Sequence, residues 1–212
     1  MSNNEIFSLE DGKILIQFAR ENIKHYLKNN KSIPVPEDIK EKFSENYGAF
    51  VTLNVYNVTG NPLRGCIGYI EPTYPLYDVI HKVSISSAVE DPRFPSVSIE
   101  EMDNIVIEVS ILTPPKLITV KEPKEYLSKI VIGRDGLIIE RGMRRGLLLP
   151  QVPIEHDRNW DVETFLKHTC NKAWLSDDAW KDENTKIYSF QAIIFEEKKP
   201  NGEVKRKYLA PS

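Results

Sequence analysis

Residues 49–70, AFVTLNVYNVTGNPLRGCIGYI, contain two runs of β-prone residues joined by a turn that carries Gly60 and Pro62. The first run is β-branched and aromatic, and glycine and proline are typical of the turn between two strands. The stretch therefore predicts a β-hairpin. Its second strand contains Gly65 and Gly68, and two glycines so close together usually mark a bulge, a bend or a group that approaches the backbone closely.

The rest of the chain alternates helical and strand patterns. Helices are predicted from Ser8 to about Asn30, from Pro75 to a point before Asp91, and from Asp161 onward, and one short helical turn is predicted in SIPVPEDIKEKF. Strands are predicted in NIVIEVSIL, in KIYSFQAIIFEE and, as a short edge strand, in VKRKYL. Residues 130–150 hold three apolar runs separated by GRDG and ERGMRRG, which predict a meander of strands. Hairpins separated by helices predict an α+β fold with a mainly antiparallel sheet.

Composition excludes several classes of protein. The 212 residues suit one compact domain, spanning 1–212, or two closely joined lobes. No run approaches the ~18 apolar residues of a membrane helix, and the first residues lack the pattern of a signal peptide, so we expect a cytoplasmic protein. A formal net charge of -3 argues against non-specific nucleic-acid binding. Two cysteines and four scattered histidines predict no structural metal, and the absence of nucleotide-binding and serine-hydrolase motifs leaves no cofactor predicted.

The second strand of the hairpin carries the first candidate site. Side chains alternate along a strand, so Arg64 and Cys66 share a face, about 7 Å apart. A nearby guanidinium can favour the thiolate form of a cysteine, and Gly65 and Gly68 can leave the backbone open to a ligand. The alternative is that Cys66 packs in the core and that the glycines let a helix pack closely. Arg64 opposes that alternative, since a guanidinium needs a partner in an apolar core.

The carboxylates proposed as partners of Arg64 are Glu71, Asp91 and Glu108. Asp91 itself belongs to a second candidate, EDPRFP, in which prolines hold Asp91 and Arg93 in a fixed geometry. That geometry suits either a binding site or an internal Asp–Arg clamp.

A third candidate is the loop PQVPIEHDRNWD, whose mixture of Gln151, charged side chains and Trp160 is typical of binding loops. Pairing of Cys66 with His81 or His156 as a nucleophilic pair has no support in the local sequence. Cys170 lies among apolar helical neighbours and is predicted to be a core residue.

At these residues the chain resembles the AMMECR-one family (Alport syndrome, midface hypoplasia, intellectual disability and elliptocytosis chromosomal region). The resemblance spans nearly the whole chain, and LRGCIG is the signature of the family. One departure is Trp174, where relatives with a KAGL-like sequence have glycine. The matching segments are LRGCIG (63–68), DPRFP (91–95), IEVSIL (107–112), GRDGLIIERG (133–142), LLLPQV (147–152) and the run from Trp160 to Leu175.

The resemblance implies an α+β domain with a larger and a smaller lobe, and it leaves open whether the domain is an enzyme. In many prokaryotes the family is encoded beside, or fused to, Memo-type proteins and radical S-adenosylmethionine proteins, which implies a role in a modification pathway. The hypothesis that follows is a groove that binds a polar or anionic ligand. Arg64, Gly65, Gly68, Asp91, Arg93 and Gln151 would bind the ligand, with Cys66 as a catalytic residue.

The competing hypothesis is a non-catalytic adaptor that binds protein or RNA partners in transcription, repair or translation. Its support in the sequence is the ERGMRRG turn and the basic KRKYL segment near the C-terminus. The two hypotheses differ in whether Cys66 or Arg144 and Arg145 carry the function.

Overall fold

The structure is a computed structural model, and it describes residues 6–154 and 158–208. Its contacts divide the chain into two compact units. Unit 1 contains the residues up to 112 together with 193–207, and unit 2 contains 113–192 and 208. Among the described residues, no helix is both long enough and apolar enough to cross a membrane.

The α-helices among the described residues of unit 1 are α1 (Leu9–Asn29), α2 (Glu37–Lys42) and α3 (Leu76–Val89). The Ser8 hydroxyl accepts the Asp11 N–H, and the Asp11 carboxylate accepts the Ser8 N–H, which forms a capping box at the start of α1. The C-cap of α1 is Asn30, which adopts the left-handed conformation that asparagine tolerates. These bounds confirm the predicted helices.

The sheet of unit 1 contains β1 (Gly48–Val55), β2 (Leu63–Tyr69), β3 (Ile105–Leu112) and β8 (Val204–Lys207). β1 lies between β2 and β3, and both pairings are antiparallel, which confirms the predicted hairpin. β7 (Lys186–Glu197) gives its last residues to this unit, where they pair with β8. One face of the sheet is apolar and packs with α1 and α3 in a single core.

A buried ion pair links α1 to the end of β7. Arg20 Nε donates to the Glu197 carboxylate at 2.8 Å, and the remaining Arg20 nitrogens bind the same carboxylate and the carbonyls of Met102 and Ile105. Glu197 also accepts the Ile107 N–H at 2.9 Å. Both charges are therefore paired and hydrogen-bonded, as buried charges have to be.

Unit 2 contains β4 (Lys116–Leu117), β5 (Asp135–Arg141), β6 (Arg144–Leu148), α4 (Tyr126–Lys129), α5 (Val162–Lys172) and the first part of β7. β5 pairs with β6 and with β7, and β4 pairs with β7, all antiparallel. α5 begins at Asp161, whose carboxylate caps the helix by accepting the Thr164 N–H. Its apolar face packs on a second core that includes Phe165 and Leu166.

The eight antiparallel strands and the packed helices confirm the predicted α+β class. The meander predicted over 130–150 is wrong in one respect, because only two of its three apolar runs form strands. In the first run the Val131 N–H donates to the Asp135 carboxylate at 2.9 Å, so this segment is a turn. The apolar pattern of this run is explained by the core of unit 2, in which Ile130 and Ile132 are buried. The short α4 and β4 were not predicted.

Candidate functional site

The two glycines of LRGCIG lie against protein atoms. A Cβ added at Gly65 would lie 2.0 Å from the carbonyl oxygen of Ser87, in the last turn of α3. A Cβ added at Gly68 would lie 2.3 Å from the ring of Phe50, its partner on β1. Gly65 therefore lets a helix pack backbone to backbone on β2, and Gly68 makes room for an aromatic ring. These contacts fill the space that the sequence left open for a ligand.

Arg64 is held by a carboxylate that the sequence did not indicate. Its guanidinium donates to Glu101 through Nε at 2.8 Å and through one terminal nitrogen at 3.2 Å. It also binds the carbonyls of Pro95 and Ser96. The expectation that Glu71, Asp91 or Glu108 pairs with Arg64 is wrong. Arg64 is 12% exposed and closes the loop after α3 onto β2.

Asp91 and Arg93 form a clamp on the outer edge of β2. The Asp91 carboxylate accepts the Cys66 N–H at 2.8 Å, the Arg93 N–H at 3.1 Å, and two hydrogen bonds from the Arg93 guanidinium at 2.9 and 2.6 Å. Arg93 also reaches the Cys66 carbonyl at 3.4 Å. The bonds from Arg93 hold the pKa of Asp91 well below its usual range. The sequence was consistent with either a binding site or an internal Asp–Arg clamp. In the structure the two side chains form the clamp.

The clamp leaves the Arg93 guanidinium accessible. Asp91 is 3% exposed at its side chain, whereas Arg93 is 53% exposed. The guanidinium is thus fixed in direction by a buried partner and still meets solvent beside Cys66. A fixed, accessible guanidinium is suited to contact an anion.

Cys66 begins a row of polar side chains across the sheet of unit 1. Cys66 is opposite Thr52 on β1, and Thr52 is opposite Glu108 on β3. The Thr52 hydroxyl donates to the Cys66 sulfur at 3.2 Å. Glu108 is 12% exposed and pairs with Lys207 at 2.8 Å. The row lies on the face of the sheet opposite the apolar core, since the neighbouring residues Val51 and Leu53 on β1 point into the core.

Burial governs the titration of this row. It raises the pKa of the Cys66 thiol above that of a free cysteine, although the Thr52 hydroxyl and Arg93 act in the opposite direction. Burial likewise raises the pKa of Glu108, and Lys207 opposes that shift. The expected activation of Cys66 by Arg64 is wrong, since the arginine that acts on the thiol is Arg93 and burial outweighs it. Burial thus disfavours the thiolate form of Cys66.

The other sequence candidates lie elsewhere. Gln151 belongs to unit 2, and its side-chain oxygen is buried without a hydrogen-bond partner among the described residues. Cys170 is fully buried in the core of unit 2, as predicted, and burial raises its pKa to about 11. A ring nitrogen of His81 lies 2.8 Å from the Ile33 carbonyl oxygen. Of the loop PQVPIEHDRNWD, residues 155–157, which include His156, fall outside the described ranges.

Sequence reasoning missed Thr52 as a neighbour of Cys66 and Glu101 as the partner of Arg64. The hairpin register would identify Thr52, but the pairing of β1 with β2 shifts between Leu53 and Asn54. Counting back from the turn therefore gives the wrong cross-strand partner. Glu101 is 37 residues from Arg64, and no local pattern signals that contact.

Comparison with known proteins identifies the family. The model of the AMMECR1 family matches residues 16–195, which include β2, the clamp and the polar row. The chain belongs to the AMMECR1 family. The family predicted from LRGCIG and the segments around it is thereby confirmed.

AMMECR1 relatives resemble this chain along nearly its whole length. "Protein PH0010" of Pyrococcus horikoshii is 53% identical over 207 residues, which are 96% of this chain and 99% of the relative. "Protein MJ0810" of Methanocaldococcus jannaschii is 54% identical over 204 residues, 96% and 98% of the two chains. The crystal structure of the uncharacterized protein PH0010 superimposes with a TM-score of 0.80 and covers 93% of this chain and 97% of that one.

Trp174 stands where the family resemblance led us to expect a glycine, and its backbone has the conformation of one. Trp174 follows the C-cap of α5 and has a φ of 57°, in the left-handed region that favours glycine. Its N–H donates to the Asn171 carbonyl, and the next N–H donates to the Cys170 carbonyl, as in a helix end of the glycine type. The backbone therefore has the conformation typical of glycine at a helix end, although the side chain is a tryptophan that is 86% exposed.

Proposed function

We propose that this AMMECR1 protein binds a small polar or anionic ligand on the polar face of the unit 1 sheet. The observation that carries the proposal is the end of the polar row, where the fixed guanidinium of Arg93 meets Cys66. Arg93 supplies a positive charge whose direction is set by Asp91. Cys66 and Thr52 supply groups that donate and accept hydrogen bonds.

The polar row is better suited to bind a ligand than to use Cys66 as a catalytic nucleophile. A thiol whose pKa is raised by burial has little thiolate at neutral pH, and the thiolate is the nucleophile. A neutral thiol beside a guanidinium can instead take part in recognising a carboxylate or phosphate group. Such a ligand would fit a component of a modification pathway with Memo-type or radical S-adenosylmethionine partners, the role that the family resemblance implies.

Two alkylating agents of nearly the same size test the proposal, since iodoacetate is an anion and iodoacetamide is neutral. We expect iodoacetate to react with Cys66 faster, relative to iodoacetamide, than it does with free cysteine, because Arg93 attracts the carboxylate. The measurement is the rate of modification of the Cys66 peptide by mass spectrometry, and buried Cys170 is an internal reference. A rate ratio equal to that of free cysteine would overturn the proposal.

A matched pair of variants identifies the arginine responsible. Arg93→Gln should return the ratio to that of free cysteine. Arg134→Gln should leave it unchanged, although Arg134 pairs with Asp135 in the same two-bond geometry, at 2.8 and 2.6 Å. Native mass spectrometry of the protein purified from cells then searches for small molecules that Arg93→Gln fails to retain.

A second candidate function, a partner-binding adaptor, is favoured by a surface on unit 2. Met143 in the β5–β6 turn is fully exposed, and Trp174 is 86% exposed. Arg144 donates to the Trp174 carbonyl at 2.8 Å, so this guanidinium lies at the apolar surface. An acidic protein segment with one large apolar side chain would complement the charge of Arg144 and the exposed apolar side chains of Met143 and Trp174.

The adaptor function predicts that Arg144→Glu and Trp174→Gly each abolish capture of such a partner, whereas Cys66→Ser does not. Affinity purification with quantitative mass spectrometry provides the candidates. A protein counts as the partner only if its purified form binds the wild type and neither of the two surface variants. Loss of binding with Cys66→Ser alone would favour the polar face instead.

A further inference from the structure

A cavity of about 440 Å³ in unit 2 is built from cationic and aromatic side chains. The described residues that line it include Arg158, Trp160, His168, Asn171 and Lys172. No carboxylate is among those described lining residues. In a chain whose formal net charge is -3, a cavity lined by two permanent cations stands out.

Stacking holds the Arg158 guanidinium in place. The rings of Trp160 and His168 are 4.0 Å apart with an interplanar angle of 7°, and the Arg158 guanidinium lies 5.4 Å from the Trp160 ring. Arg158 also donates to the Val152 carbonyl at 3.0 Å. Stacking and this hydrogen bond reduce the rotamers open to Arg158, so less entropy is lost when a ligand binds.

Helix α5 supplies further hydrogen-bond donors to the lining of the cavity. His168, Asn171 and Lys172 are spaced i, i+3 and i+4, so they share one face of the helix. The same helix also carries the buried core residues Phe165, Thr169 and Cys170. Lys172 forms no ion pair within the part of the chain that the structure describes, whereas Lys167 on the same helix pairs with Glu163 at 2.9 Å.

We propose that this cavity binds a phosphate group, carried by a small organic molecule. Arg158 and Lys172 provide the positive charge, and Asn171 provides amide donors, a set that suits a doubly charged anion. The cavity falls in the range of ~300–1,000 Å³ that is usual for small-molecule sites, which leaves room for more than the phosphate. The site shares no residue with the polar face of unit 1, and it does not depend on the function proposed there.

Inorganic phosphate, adenosine monophosphate and acetate serve as probes. We expect the two phosphates to bind by calorimetry and to shift the NMR signals of the Trp160 indole and the Asn171 amide, while acetate at the same ionic strength does not. Tighter binding of adenosine monophosphate assigns the ligand as a phosphate ester. Equal binding would contradict the organic part of the proposal, because the cavity would then recognise the phosphate group alone. Absence of local shifts with either phosphate, or the same shifts with acetate, would overturn the proposal.

Variants on one helix provide the control. Lys172→Gln and Arg158→Gln should each weaken phosphate binding about fivefold or more, the effect expected for loss of one partly exposed charged contact. Lys167→Gln should leave the affinity within about twofold, although it removes the same charge from the same helix. All three residues are at the surface, and thermal melting verifies folding. If Lys167→Gln weakened phosphate binding equally, the net charge of the protein would explain the effect, and a defined site would be contradicted.

Discussion

The edge strands β2 and β6, one in each unit, are built on the same plan. Each contains a glycine that follows an arginine, and the backbone at the end of a helix packs against that glycine. A Cβ at Gly65 would lie 2.0 Å from the Ser87 oxygen of α3, and a Cβ at Gly146 would lie 2.4 Å from the Ala173 nitrogen at the end of α5. In both units a glycine on an edge strand is therefore explained by a helix.

The two contacts between a helix end and an edge strand differ in the hydrogen bond that holds the segment after the helix to the strand. In unit 1 a side chain of that segment, Asp91, accepts a hydrogen bond from the backbone of β2. In unit 2 the side chain and the backbone exchange places, because the Arg144 side chain of β6 donates to the backbone carbonyl of Trp174. Unit 1 thus contains a buried carboxylate that responds to pH, while unit 2 uses a neutral acceptor and leaves a tryptophan in solvent. A helix end can therefore be held against a glycine of an edge strand with or without a buried charge.

The largest effect is expected for Gly65→Ala. The added methyl group meets a helix carbonyl, which cannot move without displacing α3, so we expect a loss of about 3 kcal/mol in the free energy of unfolding. Gly146→Ala should cost about 2 kcal/mol, because its nearest contact is longer. Hydrogen exchange of peptides from each unit measures both values separately.

Gly60→Ala is the control for the glycine comparison. Gly60 is in the β1–β2 turn with a φ of 93°, and no atom lies within 4 Å of an added Cβ. The substitution should cost about 1 kcal/mol through backbone strain alone. If Gly65→Ala costs no more than Gly60→Ala, contact with α3 is not the reason for the glycine.

The next effect concerns the clamp. Asp91→Asn removes a buried carboxylate that accepts four hydrogen bonds, and we expect a loss of about 2 kcal/mol at pH 7, less than for a fully buried pair because Arg93 is half exposed. Asp135→Asn should cost about 1 kcal/mol. Its carboxylate binds Arg134 and the Val131 N–H and so holds only a local turn. Urea unfolding of the two variants makes the comparison.

The clamp also makes unit 1 sensitive to acid. The pKa of Asp91 is lower in the folded protein than the ~3.9 of an unfolded chain, so its contribution is complete above about pH 5 and is lost as pH falls toward the folded value. The difference in stability between wild type and Asp91→Asn should therefore shrink between about pH 5 and pH 2. A constant difference over that range would show that the carboxylate charge does not stabilise the clamp.

Much of the fold could be predicted because its signals are local. The capping box at Ser8, the turn at Gly60 and the proline before Leu76 each depend on residues within a few positions. The failure at Ile130 has the same origin, since an apolar run of a few residues has no period that separates a strand from a buried turn. Asp135 decided the outcome through a contact four residues away.

The candidate site was predictable in its residues and not in its contacts. The sequence indicated that Arg64, Cys66, Asp91 and Arg93 mattered, and three of these four, Cys66, Asp91 and Arg93, meet at the edge of β2. It could not assign Arg64 to Glu101, because that pairing depends on how the loop after α3 returns to the sheet. Side-chain pairing across a sheet follows from register, which the bulge in β1–β2 alters.

A smaller effect of opposite sign is expected at the end of α5. Trp174→Gly should stabilise unit 2 by about 1 kcal/mol, because glycine adopts the left-handed conformation without the strain of a side chain. Little burial is lost, since the ring is 86% exposed. The urea midpoint should rise with an unchanged slope. A lower midpoint would mean that the indole makes a stabilising contact in the folded protein.

The smallest effect is expected for the hydrogen bond that holds the end of α5 to β6. Arg144→Gln removes the hydrogen bond to the Trp174 carbonyl, and because the donor is exposed we expect a loss of about 0.5 kcal/mol. The acceptor is a backbone oxygen, so the bond should survive Trp174→Gly, and the two substitutions should add in a double-mutant cycle. A coupling above about 0.5 kcal/mol would show that the guanidinium also depends on the indole ring. The contact in unit 2 would then depend on a second side chain, as that in unit 1 does, where Arg93 binds the Asp91 carboxylate that accepts the Cys66 N–H.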